Sequence, residues 1–452
     1  MDTNTPRKMS FLGGQVHPAP SIFDPSCAYS YGMALAQVLR PMGITAFAVA
    51  DDGRLSGGVL RCALMCGLLA GGADVADCGI SAAPALSVYC GGHSLGGVMI
   101  TAPRDGASLN GIKVFSRDGS LLPSETAARA EELAFSGQLS PAAEPGRLKA
   151  ASTAHSYVDM LKRAGEVFCT ELKGLTIAID CANGGASGMI KGLFAASGAK
   201  VYLLGCEPDG KNICEGCGVS YPAALTEFVR SRGCDAGFAL SADASSVICF
   251  DSSGTACPGE KLFAFFLDEM REKCLPGRDT AVVTGGVGSA LTDFARRKGI
   301  TLVTADRSED SITGIMKSAG ASAGCAEGIS GGIYFNIEGL PRTSDGLLQI
   351  MLVCGLMTSG KKSLSELSAA LESRPRVELS VGIPENKSEI WKNIPLIEER
   401  IDKYSEELGP SGMVTVAEER TGMIRVTVEG GDFSRINAIA SELSELIQKT
   451  VR

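Results

Sequence analysis

Short apolar runs that stop at glycine or aspartate, and then give way to helical spacing, recur along this chain. Ala46-Phe47-Ala48-Val49-Ala50 ends at Asp51-Asp52-Gly53-Arg54 and precedes a helical stretch from Gly58 to Leu69. Leu175-Thr176-Ile177-Ala178-Ile179-Asp180 ends at Cys181-Ala182-Asn183-Gly184-Gly185, before a helix-like run to Ala196 and a strand over Lys200–Leu204. Thr280–Thr284 runs into Gly285-Gly286 and a helix ending near Lys298, with Thr301–Thr304 after it. Continuous apolar runs of this length belong to strands buried on both faces, which predicts largely parallel sheets covered by helices. Three such units predict three related α/β domains. From about Val377 the order changes to strand, helix (Ile390 to Glu407), strands Met413–Val416 and Ile424–Val428, then helix Ser434–Lys449. That order reads as a smaller α+β domain, with Glu372-Ser373-Arg374-Pro375-Arg376 as the linker before it. The expected domains span 1–148, 149–254, 255–373 and 374–452.

Composition narrows the function classes. The 452 residues are 45% hydrophobic and 21% charged, an ordinary globular balance with room for several cores. A net charge of −9 argues against a nucleic-acid footprint. No run of about 20 apolar residues predicts a membrane span, and Met1-Asp2-Thr3-Asn4-Thr5-Pro6-Arg7-Lys8 lacks the apolar core of a signal peptide. The sixteen cysteines scatter through apolar segments, as reduced cytoplasmic thiols do. The one Cys-x-x-Cys, Cys214-Glu215-Gly216-Cys217, has no second pair at zinc-site spacing and reads as loop thiols.

One segment carries most of the chemistry. Gly96-Gly97-Val98-Met99-Ile100 leads into Thr101-Ala102-Pro103-Arg104-Asp105-Gly106-Ala107-Ser108-Leu109-Asn110-Gly111-Ile112-Lys113. It resembles the nucleophile loop of the α-D-phosphohexomutases, which reads Thr-Ala-Ser-His-Asn-Pro a few residues ahead of Asn-Gly-Ile-Lys. The resemblance covers nearly the whole chain. Glu207-Pro208-Asp209-Gly210-Lys211-Asn212-Ile213, Cys217-Gly218-Val219-Ser220-Tyr221-Pro222, Ser344-Asp345-Gly346-Leu347-Leu348 and Ile424-Arg425-Val426-Thr427-Val428 look like the phosphoglucosamine mutase branch. It implies four domains around a central cleft. It also implies a reaction that moves phosphate between O1 and O6 of a hexose phosphate through a phosphoserine and Mg²⁺. Pairing through the first domain is implied as well, as a homodimer or as a heterodimer with an active paralogue.

The positions that would perform this reaction are altered. Pro103 stands at the nucleophile and has no oxygen to phosphorylate; Arg104 stands at the histidine, and Ser108 is displaced by five residues from the in-line position. The metal loop Asp-Gly-Asp-Ala-Asp-Arg becomes Ser241-Ala242-Asp243-Ala244-Ser245-Ser246, leaving Asp243 as its only carboxylate and making Mg²⁺ binding doubtful. Phe11-Leu12-Gly13-Gly14-Gln15-Val16-His17-Pro18 puts His17 where the family has arginine, and His17 is mostly neutral at pH 7. The sugar loop Glu-x-Ser-Gly-His becomes Gly328-Ile329-Ser330-Gly331-Gly332, which keeps Ser330, with Glu327 one residue early. The phosphate loop of the last domain becomes Val416-Ala417-Glu418-Glu419-Arg420-Thr421-Gly422, with two acidic residues that repel a dianion.

Lys113, Arg54, Glu327, Ser330, Arg420 and Arg425 remain as candidate sugar-phosphate contacts, with Lys113 foremost; Arg54 reads more readily as half of a structural Asp52–Arg54 turn. Among His17, His93 and His155 no nucleophile–base pair is evident. Three readings result. The first is a catalytically inactive relative that still binds a sugar phosphate. The second is an interaction module built on the same scaffold. The third, opposed by simultaneous losses in four loops, is an active mutase.

Overall fold

The computed structural model describes residues 10–12, 15–17, 24–168, 172–194, 197–306, 308–326, 328, 331–338, 340–369, 371, 374–384, 387, 390–409, 412–420 and 422–451. Four sheets organise it. The first contains β1 (Ser10–Leu12), β2 (Gln15–His17), β3 (Ala46–Asp51), β4 (Asp74–Ile80), β5 (Gly96–Ile100), β6 (Ile112–Phe115) and β7 (Leu148–Ala150), in the order β1-β2-β6-β5-β3-β4-β7. The second contains β8 (Thr176–Asp180), β9 (Lys200–Leu204), β10 (Ala236–Leu240), β11 (Val247–Asp251) and β12 (Ala256–Cys257), in the order β12-β11-β10-β8-β9. The third contains β13 (Thr280–Thr284), β14 (Thr301–Ala305), β15 (Ala323–Cys325) and β16 (Ile333–Phe335), in the order β14-β13-β15-β16.

A common kernel runs through these three. In β4-β3-β5-β6, β9-β8-β10-β11 and β14-β13-β15-β16 alike, the first three strands are parallel and the last is antiparallel to its neighbour. The repetition expected from the apolar runs is therefore a repetition of topology. Parallel strands need crossover helices, and these cover both faces, which is why β5 and β10 are buried at every position.

The last sheet is antiparallel, β17 (Arg376–Gly382), β18 (Met413–Arg420) and β19 (Met423–Glu429) in the order β17-β19-β18, packed under helices Pro395–Leu408 and Phe433–Thr450. Its first helix starts at Pro395, later than the expected Ile390, because proline is suited to the first helical turn and a short 3₁₀ turn, Trp391–Asn393, precedes it. The helix after β3 starts at Leu55, three residues earlier than expected.

The second and third units share one apolar core that runs from Ala82 to Leu371 and includes both Tyr157 and Leu347. At its centre the Tyr157 hydroxyl donates to both oxygens of Asp345 at 2.8 and 2.9 Å, and Asp345 in turn caps helix Gly346–Gly360 by accepting from Leu347 N and Leu348 N. The fourth unit is held to the third by Glu429, which accepts from Ser289 N at 3.1 Å, and by an Arg374–Asp293 ion pair at 2.7 Å. Arg374, expected in a linker, is thus a docking residue.

Candidate functional site

The loop between β5 and β6 leaves the carboxyl end of a parallel strand, where open α/β sheets place their sites. Its shape is set from beneath by Arg54. The guanidinium is fully enclosed and forms a two-pronged ion pair with Asp52, at 2.9 Å on each oxygen. Its remaining donors go to the carbonyls of Ala102 (2.9 Å), Gly106 (3.1 Å) and Leu109. Asp52 also accepts from the Thr101 hydroxyl at 2.7 Å. Burial works against the charge on Arg54, but Asp52 beside it more than offsets this and raises its pKa. Only arginine supplies this many donors in a fixed fork.

The same loop is stitched to the second unit. The Pro103 carbonyl accepts from Ala242 N at 2.9 Å, and the Arg104 carbonyl accepts from the Ser220 hydroxyl at 2.7 Å, with the Arg104 side chain exposed. Ala83 N donates to Asp243 O at 2.8 Å. Gly185 permits the approach of the two units, since a Cβ there would stand 2.0 Å from Ser81 O, and Gly184 lets the Ala242 loop pack within the second unit, where a Cβ would stand 2.0 Å from Ala242 O. Both are distances at which no side chain fits.

At the centre of the junction lies Asp243, with no solvent exposure. Its Oδ1 accepts from Ser241 Oγ (2.9 Å), Ser245 Oγ (2.7 Å) and Ser245 N (3.0 Å). Its Oδ2 faces Lys113 Nζ at 2.8 Å, held by charge at an angle outside good hydrogen-bond geometry. Lys113 is 3% exposed and also donates to Ser245 Oγ at 3.1 Å. Burial disfavours both charges, yet each stabilises the other: the ammonium draws the Asp243 carboxyl below its ordinary range, and Asp243, with Glu309 beyond it, pushes Lys113 up. Glu309 opens helix Glu309–Ala319 and accepts from Ser344 N at 3.2 Å, so charges from three units meet here.

These residues do not fit Mg²⁺. One carboxylate is present, its free oxygen faces an ammonium, and both serine hydroxyls donate to it. Among the described residues no group of three or more His, Cys, Asp or Glu side chains is arranged to hold a metal ion, Cys214 and Cys217 included. The fifteen described cysteines are all free thiols.

The other expected contacts are dispersed. The backbone of His17, at the end of β2, pairs with Ser10 of β1, and its side chain lies outside the described residues, as do Glu327 and Ser330. The expected phosphate loop is mostly strand. β18 continues to Arg420 and pairs with β19 across a bulge at Glu418–Arg420, so backbone N–H groups that would line an anion nest belong to a ladder. Arg420 stands opposite Met423, with its side chain outside the described residues. Arg425 lies on β19 at 3.9 Å from Glu378. The structure thus unites Pro103, Ser241, Asp243, Ser245, Lys113 and the Arg54 support, and leaves Arg420 and Arg425 in a separate sheet.

Sequence reading missed the partnership of Lys113 with Asp243 and the proximity of Glu309. One signal was available: Lys113 sits in Ile112-Lys113-Val114-Phe115, a strand buried at all four positions, and a lysine there needs an acidic partner.

Comparison with known proteins agrees with this architecture. The phosphoglucomutase/phosphomannomutase α/β/α domain I matches residues 14–140, and domain III of the same family matches residues 258–374. The phosphoglucosamine mutase of a Thermoanaerobacter species is 31% identical over 436 residues, covering 94% of this chain and 95% of that protein. A phosphoglucomutase/phosphomannomutase family protein from Burkholderia thailandensis superposes with a TM-score of 0.81 at 18% identity, over 97% of this chain and 96% of that one. The N-acetylphosphoglucosamine mutase of Aspergillus fumigatus, in complex with GlcNAc-6P and magnesium, does so with a TM-score of 0.64 at 14% identity, over 82% and 93%. The repeated kernel, the placement of the β5–β6 loop and the whole-chain likeness agree: this chain belongs to the phosphoglucomutase/phosphomannomutase family and is phosphoglucosamine mutase-like.

Proposed function

We propose that this chain is a catalytically inactive phosphoglucosamine mutase-like protein, cytoplasmic, that retains the scaffold for recognition. One observation carries the reading. The residue at the nucleophile position is Pro103, and the loop around it is pinned by Arg54 through the carbonyls of Ala102, Gly106 and Leu109. A pinned loop does not bring Ser108 back by five residues to the place of attack, and phosphoryl transfer depends on in-line placement. Covalent transfer through a phosphoenzyme then has no acceptor atom.

Two uses of the scaffold remain within this reading. The Aspergillus complex with GlcNAc-6P supports a hexosamine phosphate as ligand, and Arg104 at the loop is exposed to meet it. The buried engagement of Lys113 favours the other use, contact with a second protein chain: a homodimer or a heterodimer with an active paralogue. In support, Leu55, Val59, Cys62 and Cys66 form an exposed apolar stripe along helix Leu55–Ala70 of the first unit.

The test is a mutase assay on protein freed of host enzyme, with glucosamine 6-phosphate and a hexose 1,6-bisphosphate primer, read by phosphorus NMR. Calorimetric titration with both glucosamine phosphates, with and without Mg²⁺, accompanies it. Binding without turnover is the expected result for a ligand-binding relative, and neither binding nor turnover for a protein-contact scaffold. Steady formation of glucosamine 1-phosphate, abolished by a change in this chain, would overturn the inactive reading.

A further inference from the structure

The side-chain oxygens at positions 241, 243 and 245 are each engaged by the chain itself, through hydrogen bonds or, at Asp243 Oδ2, through charge alone. Ser241 Oγ donates to Asp243 Oδ1 at 2.9 Å and accepts from Ser246 N at 3.0 Å. Ser245 Oγ donates to the same Oδ1 at 2.7 Å and accepts from Lys113 Nζ at 3.1 Å. Oδ1 receives three donors, and Oδ2 has the ammonium at 2.8 Å. At positions 241, 243 and 245 every side-chain oxygen already has a partner from the chain, which a small divalent ion would have to displace.

Charge leads to the same place. The loop carries one carboxylate, and one ammonium reaches it from β6 of the first unit, so the enclosed pair is neutral. Adding a divalent ion beside Lys113 would place three positive charges against Asp243, with Glu309 the neighbouring acid that also favours the ammonium. In an interior of low dielectric that arrangement is strongly repelled.

We propose that the Lys113 ammonium is the resident cation of this interior site, a tethered charge that closes the metal loop to divalent ions and clamps the first unit to the second. The proposal deepens the inactive reading and rests on it for its meaning. Its physical content is separable: the site selects a monovalent, nitrogen-based cation carried by the chain. Because the cation cannot dissociate, the junction between Asp243 and β6 is permanent, whereas a metal-loaded loop would open with loss of its ion.

The experiment uses the full chain and Mn²⁺ as the probe, followed by electron paramagnetic resonance and by thermal unfolding. Wild type is expected to show no stoichiometric Mn²⁺ uptake and no Mn²⁺-dependent rise in Tm. Lys113→Ala leaves Asp243 buried without a counter-ion; its Tm should fall by several degrees and be restored in part by ethylammonium or by Mn²⁺, either of which can enter the vacated space. The double variant Lys113→Met, Asp243→Asn is neutral and of similar volume, so it should fold and respond to neither cation. It also gives a readout if Lys113→Ala does not fold.

Saturable uptake of one Mn²⁺ by wild type would overturn the proposal, and so would cation rescue of the double variant equal to that of Lys113→Ala. The two readings fail differently. Mn²⁺ uptake without turnover would sink the resident-cation proposal alone, while turnover without any metal would sink the inactive reading and leave the tethered cation standing.

Discussion

Asp345→Asn should make the protein more stable at neutral pH, with the gain vanishing in acid. Asp345 is buried at the seam of the second and third units, where it accepts from Tyr157 Oη, Leu347 N and Leu348 N. Those bonds favour the ionised form, but burial is the larger effect, and it raises the carboxyl pKa from 3.8 to about 6. A group whose folded pKa exceeds its unfolded value holds its proton more tightly when folded. Its contribution is therefore most favourable below about 3.8, falls as pH rises towards about 6, and is level above that. A difference of roughly two pH units corresponds to about 3 kcal/mol that the ionised carboxylate costs the folded state at neutral pH.

Asparagine keeps an acceptor for the helix cap and places its amide where Tyr157 Oη can accept, so it retains most of the bonds without the charge. We expect Asp345→Asn to gain about 1–3 kcal/mol near pH 8, shrinking to within about 0.5 kcal/mol of wild type near pH 4. Urea unfolding across that range measures it, with hydrogen exchange of Leu347 and Leu348 reporting the seam itself. A loss of stability of equal size at every pH would refute the reasoning, because the charged cap would then outweigh its burial.

Three further outcomes test the site. Arg54→Lys removes the fork while keeping the charge; it leaves the carbonyls of Ala102, Gly106 and Leu109 short of donors, the first of them buried, and breaks the two-pronged buried pair with Asp52, so it should cost about 3 kcal/mol, with faster proteolytic cutting between residues 102 and 110. Wild-type resistance in the variant would show that the loop is shaped by something else. Pro103→Ser restores a hydroxyl at the nucleophile position but neither the carboxylates nor the ion, so mutase turnover should stay at background; measurable turnover would mean that one residue was the whole defect. Gly185→Ala drives a Cβ to within 2.0 Å of Ser81 O and should destabilise the contact between the first two units by about 1–3 kcal/mol, seen as faster hydrogen exchange in the 181–185 and 241–246 loops. Unchanged exchange there would refute the close approach.

How far the sequence alone reached depends on the range of the interaction. Strands Lys200–Leu204 and Thr280–Thr284 were legible to the residue, since an apolar run and its flanking glycines are local signals. The shared sheet order of the three units was not, because register between β3, β4 and β5 is decided by partners tens of residues apart. The phosphate-loop segment misled for another reason: resemblance alone marks it as a loop, whereas cross-strand pairing with β19 carries the strand on to Arg420. The losses at Pro103, Ser241 and Ser245 could be read directly. What replaced them could not, because Lys113 and Asp243 are 130 positions apart and meet only when two sheets are assembled.

That meeting explains why the altered loops change together. A phosphoserine, three carboxylates and a divalent ion depend on one another, because the ion offsets part of a negative charge that the loop could not otherwise hold together. Without an acceptor at Pro103 there is no phosphate to neutralise, and carboxylates at positions 241 and 245 would face one another across a buried loop with only Lys113 to balance them. Serines at both places remove two negative charges and supply hydroxyl donors to the one carboxylate that remains. The ammonium then balances it alone. On this argument the serines are compensations for a nucleophile already lost. Restoring Ser241→Asp and Ser245→Asp without Pro103→Ser should therefore destabilise the fold by more than Pro103→Ser does by itself. Measuring the three Tm values orders the changes: if the two aspartates are tolerated without added Mg²⁺, the buried loop is not governed by charge balance and the explanation fails.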